Sequence, residues 1–187
     1  MIYTLPKSLN VGGVDYEIRT DYRAILDAIS ALNDPDLLPV EKAEACVRII
    51  FPDWKKIDDH GEAYERCLWF IACGETETDG RKKPKVMDWE QDFSLIIPPV
   101  NRILGYDCRG TEYLHWWSFV AAYYEIGECA FACVTRIRQK ITKGEPLDKW
   151  ERKYYSDNLR TVELRRRIGT DEQAEIDDIL GGDNLAL

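Results

Sequence analysis

The chain has 187 residues, with 25 Lys and Arg against 34 Asp and Glu, a net charge of −9 and a pI near 4.8. At 45% hydrophobic and 32% charged it has globular composition, which excludes collagenous and intrinsically disordered classes. No apolar run approaches the ~18–20 residues needed to cross a bilayer, and acidity argues against nucleic acid as the default partner. The opening Met1-Ile2-Tyr3-Thr4-Leu5-Pro6 lacks the basic and long apolar regions of a signal peptide, so the chain reads as cytosolic.

Taken in order, the elements are mostly helical. Leu9 to Ile18 contains Val11-Gly12-Gly13-Val14, a Gly-Gly turn between short alternating runs, which predicts a β-hairpin. Asp21 to Leu32 carries Tyr22, Ile25, Leu26, Ile29 and Leu32 at three-and-four spacing, an amphipathic helix stopped by Asn33-Asp34-Pro35. Val40 to Phe51 is a second helix ended by Pro52, and Glu62 to Cys73 a third, with Gly74 as its C-terminal cap. Gly74 to Lys85, acidic and then basic, reads as a mobile surface loop rather than a domain linker.

Asp88-Trp89-Glu90-Gln91 has the pattern of a capped helix start. Pro98-Pro99 predicts a break or kink, with a new helix running to Leu104 and closed by Gly105. Thr111 to Ile126 is the most apolar segment, and Glu128 to Ile141 is a further helix after Gly127. Pro146 opens one long amphipathic pattern to Arg167, and Thr170 to Leu180 is a short acidic helix ended by Gly181-Gly182. The fold class is mainly α, with seven or eight helices and one small hairpin: residues 1–169 form the helical domain, and 170–187 an acidic C-terminal helix and tail.

Several patterns invite a chemical reading. Glu112 and His115 make one Glu-x-x-His, the spacing by which helical bundles hold di-iron, but a second pair is required and the sequence has none. His115 therefore reads as a histidine satisfied in or at the rim of the core, and His60 as solvated. The six Cys lack the C-x₂-C spacing of zinc sites, which favours buried free thiols over zinc or disulfides. There is no nucleophile elbow, phosphate loop or His-Glu-x-x-His, so the expectation is no enzyme, no cofactor and no metal.

Aromatic residues and charge carry more information. Trp116, Phe119, Val120, Tyr123 and Tyr124 wrap most of one helix, so that helix is either central to the core or shared with a partner. Arg136 to Arg167 holds eleven Lys or Arg against five Asp or Glu, a local +6, while Ile168 to Leu187 holds six acids and no base. Arg165-Arg166-Arg167 could meet nucleic acid, but the region lacks a reading motif and the adjacent acidic tail cancels its field. That tail could instead fold back on the basic helix or dock on a neighbour's, an arrangement compatible with self-association.

Specific strings then point to a family. Gly13-Val14-Asp15-Tyr16-Glu17-Ile18-Arg19-Thr20-Asp21-Tyr22-Arg23, Asp88-Trp89-Glu90-Gln91-Asp92 and Leu114-His115-Trp116-Trp117-Ser118-Phe119 are followed by Lys143-Gly144, Lys149-Trp150-Glu151 and Tyr154-Tyr155. In this order, over roughly residues 9 to 160, the chain resembles the bacteriophage gene-product-fifteen family of siphophage tail-region proteins. The resemblance implies a tail assembly chaperone acting in the host cytoplasm on the tape measure protein and/or the tail tube protein, or alternatively a structural or adaptor part kept in the virion. It implies no catalytic residues. The partner-binding surface is expected at Trp116, Trp117, Phe119 and Tyr123 together with the Trp150, Tyr154 and Tyr155 face.

Overall fold

The computed structural model describes residues 4–75, 84–165, 169, 170 and 172. Most of the loop expected over Gly74–Lys85, the acidic helix expected over Thr170–Leu180 and its Gly181-Gly182 stop lie outside the described residues. The described chain opens with strands β1 (Ser8–Val11) and β2 (Val14–Glu17), paired antiparallel with Val11 opposite Val14. Gly12 and Gly13 both take positive φ, 59° and 84°, as a two-residue hairpin turn requires. Eight α-helices follow among the described residues: α1 (Tyr22–Leu32), α2 (Pro39–Ile50), α3 (His60–Ile71), α4 (Trp89–Leu104), α5 (Trp116–Tyr124), α6 (Ala130–Lys143), α7 (Lys149–Asp157) and α8 (Leu159–Val162). The fold is mainly α with one small N-terminal hairpin.

Helix starts follow local chemistry. Asp21, Asp59, Asp88 and Asp148 cap α1, α3, α4 and α7, each accepting a backbone N–H of the first turn. The hairpin is tied down at its tip, where the Gly12 N–H donates to Glu62 Oε2 at 2.8 Å. Arg19 closes the far end of α2: its N–H donates to the Ile50 carbonyl (2.8 Å) and its guanidinium to the Ile49 carbonyl (2.6 Å).

Two expectations are corrected. Of the break or kink expected at Pro98-Pro99 the break is absent: α4 runs as one helix from Trp89 to Leu104, closed by Gly105 at φ 81°. Each of the two interior prolines costs about 3 kcal/mol, about 6 kcal/mol together. Ile96, Ile97 and Val100 are 0–2% exposed, and burying each such side chain is worth about 1.5–3 kcal/mol, so the apolar face offsets the lost amide donors.

Nor is Pro146–Arg167 one helix. It divides at Asn158, whose backbone leaves the helical region (φ −129°) and whose side-chain amide donates to the Tyr154 carbonyl at 3.0 Å. The division lets Val162, 1% exposed, enter a small apolar cluster with Cys133, Val134 and Ile137 of α6. A larger cluster joins the hairpin and α1 to α5, and Leu95 packs against both.

Candidate functional site

Three of the strings that carry the family resemblance, around Asp21, Trp89 and His115, lie far apart in sequence and meet in space. Asp21 and His115 pair across an isolated antiparallel bridge, in which the Tyr22 N–H donates to the Leu114 carbonyl (2.9 Å) and the Trp116 N–H to the Thr20 carbonyl (2.7 Å). Each bridge residue also caps a helix. Asp21 accepts the N–H of Arg23 at the start of α1 and, from the other side, the N–H of Leu114. His115 Nδ1 accepts the Trp117 N–H at 3.0 Å, so Nε2 carries the proton and donates to the Pro6 carbonyl, also at 3.0 Å. Thus α1 and α5 start back to back.

Around this bridge the aromatic residues close a core. The indole N–H groups of Trp116 and Trp117 donate to the Ile71 and Phe70 carbonyls, both at 2.9 Å, satisfying the last carbonyls of α3. Trp89 of α4 packs against Trp116, Phe119 and Tyr123, with centroids 5.7, 6.0 and 5.0 Å away. Tyr22 stacks on Phe119 at 4.6 Å. Burial pushes the hydroxyls of Tyr22 and Tyr123 up to about 12. The turn that follows α3 fits this wall closely, since a Cβ on Gly74 (φ +85°) would stand 3.2 Å from the Trp117 ring.

The seven expected partner-binding residues therefore separate by role. Trp116 and Phe119 are 2% and 0% exposed, so neither lines a surface. Trp117 and Tyr123 are half-buried; Tyr124, next along α5, is exposed. On α7, Trp150 is 55% exposed and its ring lies 5.2 Å from that of Tyr154, one turn on. Tyr154 and Tyr155 are half-buried on the smaller cluster, where the Tyr155 hydroxyl donates to Glu163 at 2.8 Å. Among the described residues no ring contact joins the α7 aromatics to those of α5.

What holds the α6–α8 unit in place was not evident from sequence. Arg138 of α6 is 3% exposed and Asp92 of α4 1%, and they form a two-pronged ion pair at 2.6 and 2.9 Å. The guanidinium also donates to the carbonyls of Val86 (3.1 Å), Thr161 (2.8 Å) and Val162 (2.6 Å), so all its N–H donors are used. The signal lay in the helical phase: Arg138 stands one turn from Val134 on the apolar face of α6, and Asp92 one turn from Ile96 on that of α4. A second ion pair seats α7. Glu151, 3% exposed, accepts from Lys140 at 2.7 Å on both oxygens and from the Asp148 N–H at 2.9 Å. The Lys140 ammonium and then that N–H hold its carboxyl below the usual carboxylate range.

The remaining candidates fall into place. Both ring nitrogens of His115 are engaged, one in capping α5 and the other on the Pro6 carbonyl, while Glu112 is exposed and His60 is exposed at the start of α3. Among the described residues no three His, Cys, Asp or Glu side chains are grouped to hold a metal ion. All six Cys are free thiols, and that of Cys67 is pushed far up by its hydrogen bond to Cys46 and by burial. Of Arg165–Arg167 only Arg165 is described, and its N–H is taken by Gln91. No helix among the described residues is long and apolar enough to cross a membrane.

This framework, in which three distant strings converge on one aromatic wall, coincides with the outcome of comparison with known proteins. A search of curated proteins and a search of solved structures each found no match. A family model described as Bacteriophage Gp15 protein matches residues 1–164, ending just after α8 and including the hairpin, the Asp21–His115 bridge and the Asp92–Arg138 pair. The chain belongs to the bacteriophage Gp15 family and is a phage protein.

Proposed function

We propose that the chain is a tail assembly chaperone, a non-enzymatic protein that binds the tape measure protein and/or the tail tube protein in the host cytoplasm during tail morphogenesis. The observation that carries this reading is the rigid display of Trp150. It is 55% exposed and paired with Tyr154, on a helix pinned by the Asp148 cap and the buried Glu151–Lys140 contact. Trp and Tyr dominate the energetics of protein interfaces, and an exposed Trp on a fixed helix loses little conformational freedom on binding.

A tape measure protein is long, helical and apolar, and must be kept from aggregating until the tube polymerises around it. Aromatic side chains on a helical platform suit docking of an amphipathic helix. The net charge of −9 keeps such a complex dispersed. On this reading Trp116 and Phe119 act from below, fixing α5 so that Trp117 and Tyr123 sit at the rim. Co-expression with the tape measure protein tests it: the partner's soluble fraction should rise with this chain, and an unchanged fraction refutes the reading. Mass spectrometry of purified virions should find the chain absent; a fixed copy number would make it a structural or adaptor part.

A further inference from the structure

The chain leaves α8 along a defined track. Gln91, at the start of α4, holds it from both sides: its amide donates to the Glu163 carbonyl (2.7 Å) and its carbonyl accepts the Arg165 N–H (2.9 Å). Residues 169 and 170 then lie against the α1–α2 loop. Thr170 donates through its N–H (2.7 Å) and hydroxyl (3.1 Å) to Asp36 Oδ1. Glycine at 169 permits this approach, because a Cβ there would stand 2.9 Å from the same oxygen. Thr170, from which the acidic segment continues, therefore sits at the foot of α2. Several bases of α6 and α7 are already engaged, Arg138 by Asp92, Lys140 by Glu151 and Lys153 by Asp157.

Just beyond Asp36 an open apolar groove of about 560 Å³ runs between α2 and α3, lined by Pro39, Val40, Ala43, Val47 and Tyr64. Val40 is 77% exposed and Leu38, just before α2, 66%. The segment that continues from Thr170 carries Ile176, Ile179 and Leu180 at three-and-four spacing, with Glu175 before them and Asp177 and Asp178 between. That is the pattern of a helix that lays one apolar face in a groove. Ten helical residues after Thr170 span about 15 Å, against about 18 Å for the twelve of α2, so the anchors reach the groove without a linker.

We propose that the α2–α3 groove is a helix-binding site whose occupant in the free protein is this chain's own segment 171–187, with Ile176, Ile179 and Leu180 as anchors and the Thr170–Asp36 contact as its pin. The contact is made within one chain and does not depend on the chaperone reading.

The test uses the full-length chain with a photoreactive benzoylphenylalanine at Leu180, with adducts mapped by peptide mass spectrometry. Adducts should fall in Pro39–Val47 or His60–Tyr64 of the same molecule and be lost in Val40→Glu, a substitution at a solvent-facing site. Adducts elsewhere, adducts joining two copies, or no adduct overturn the proposal. In parallel, Ile176→Asp/Ile179→Asp should speed hydrogen exchange in the first turns of α2; unchanged exchange there also overturns it. Neither readout involves a tail protein, so failure here and failure of the chaperone reading are separable.

Discussion

Replacing Arg138 by Met keeps most of the side-chain volume and removes the five hydrogen bonds by which its guanidinium joins α6 to α4, α8 and the segment before α4. It leaves the Asp92 carboxyl at 1% exposure without its guanidinium partner, the Asp88 N–H (2.9 Å) remaining, and strips a donor from the carbonyls of Val86, Thr161 and Val162. Breaking a buried ion pair by removing one partner costs about 3–5 kcal/mol, and the stripped carbonyls place this site at the upper end. For a chain of this length that is a fall in melting temperature of about 8–20 °C. Asp92→Asn should cost less, because the amide oxygen still accepts one guanidinium N–H. The double variant Asp92→Leu/Arg138→Met separates two accounts of the site. If the pair were only a charge pair, an apolar replacement would recover most of the loss; with three backbone carbonyls depending on Arg138, the double variant should stay at least as unstable as Asp92→Asn. Thermal melts by circular dichroism decide it, and an Arg138→Met shift under about 3 °C would refute the reasoning.

Other expectations follow from the same geometry. His115→Ala removes the cap of α5, worth about 1 kcal/mol, and leaves the Pro6 carbonyl without its donor, for a total near 2–4 kcal/mol by denaturant titration. Gly74→Ala places a side chain at φ +85°, costing about 1–3 kcal/mol, and presses on the Trp117 ring, so tryptophan fluorescence should shift along with the melt. Because the Glu151 carboxyl lies below its usual 4.5 in the folded protein, its contribution is full above that pH and fades as pH falls beneath it. The stability gap between wild type and Glu151→Gln should therefore be widest near neutrality and narrow in acid. Tyr22 and Tyr123, raised from 10.0 to about 12, favour folding below pH 10 and lose that contribution as pH rises toward 12, so ultraviolet titration should show two late tyrosines released together with unfolding.

Local signals in the sequence marked the elements well and their partners poorly. Gly12-Gly13 announces the hairpin and Asp88 the start of α4, because turns and caps are settled by a few adjacent residues. Pro98-Pro99 misleads for the opposite reason: the burial of Ile96, Ile97 and Val100 depends on helices distant in sequence. The division at Asn158 likewise rests on Val162 reaching the α6 cluster and on the Thr161 and Val162 carbonyls reaching Arg138. The aromatic strings show where side chains are dense but not which face water. Trp116 and Phe119 are consumed by the wall around Trp89 and Tyr22, whereas Trp150 stays exposed because Glu151, the next residue, takes the inward position.

On the proposed reading the chain keeps a tail protein soluble through the aromatic face of α7. The direct measurement is the soluble fraction of the tape measure protein when co-expressed with the full-length chain, and with Trp150→Asp, a substitution at an exposed site that leaves both ion pairs intact. The wild-type chain should raise that fraction and co-purify with the partner, and Trp150→Asp should lose the effect while its own melting temperature stays unchanged. A tape measure protein equally insoluble with and without the wild-type chain, or equally rescued by Trp150→Asp, would contradict it.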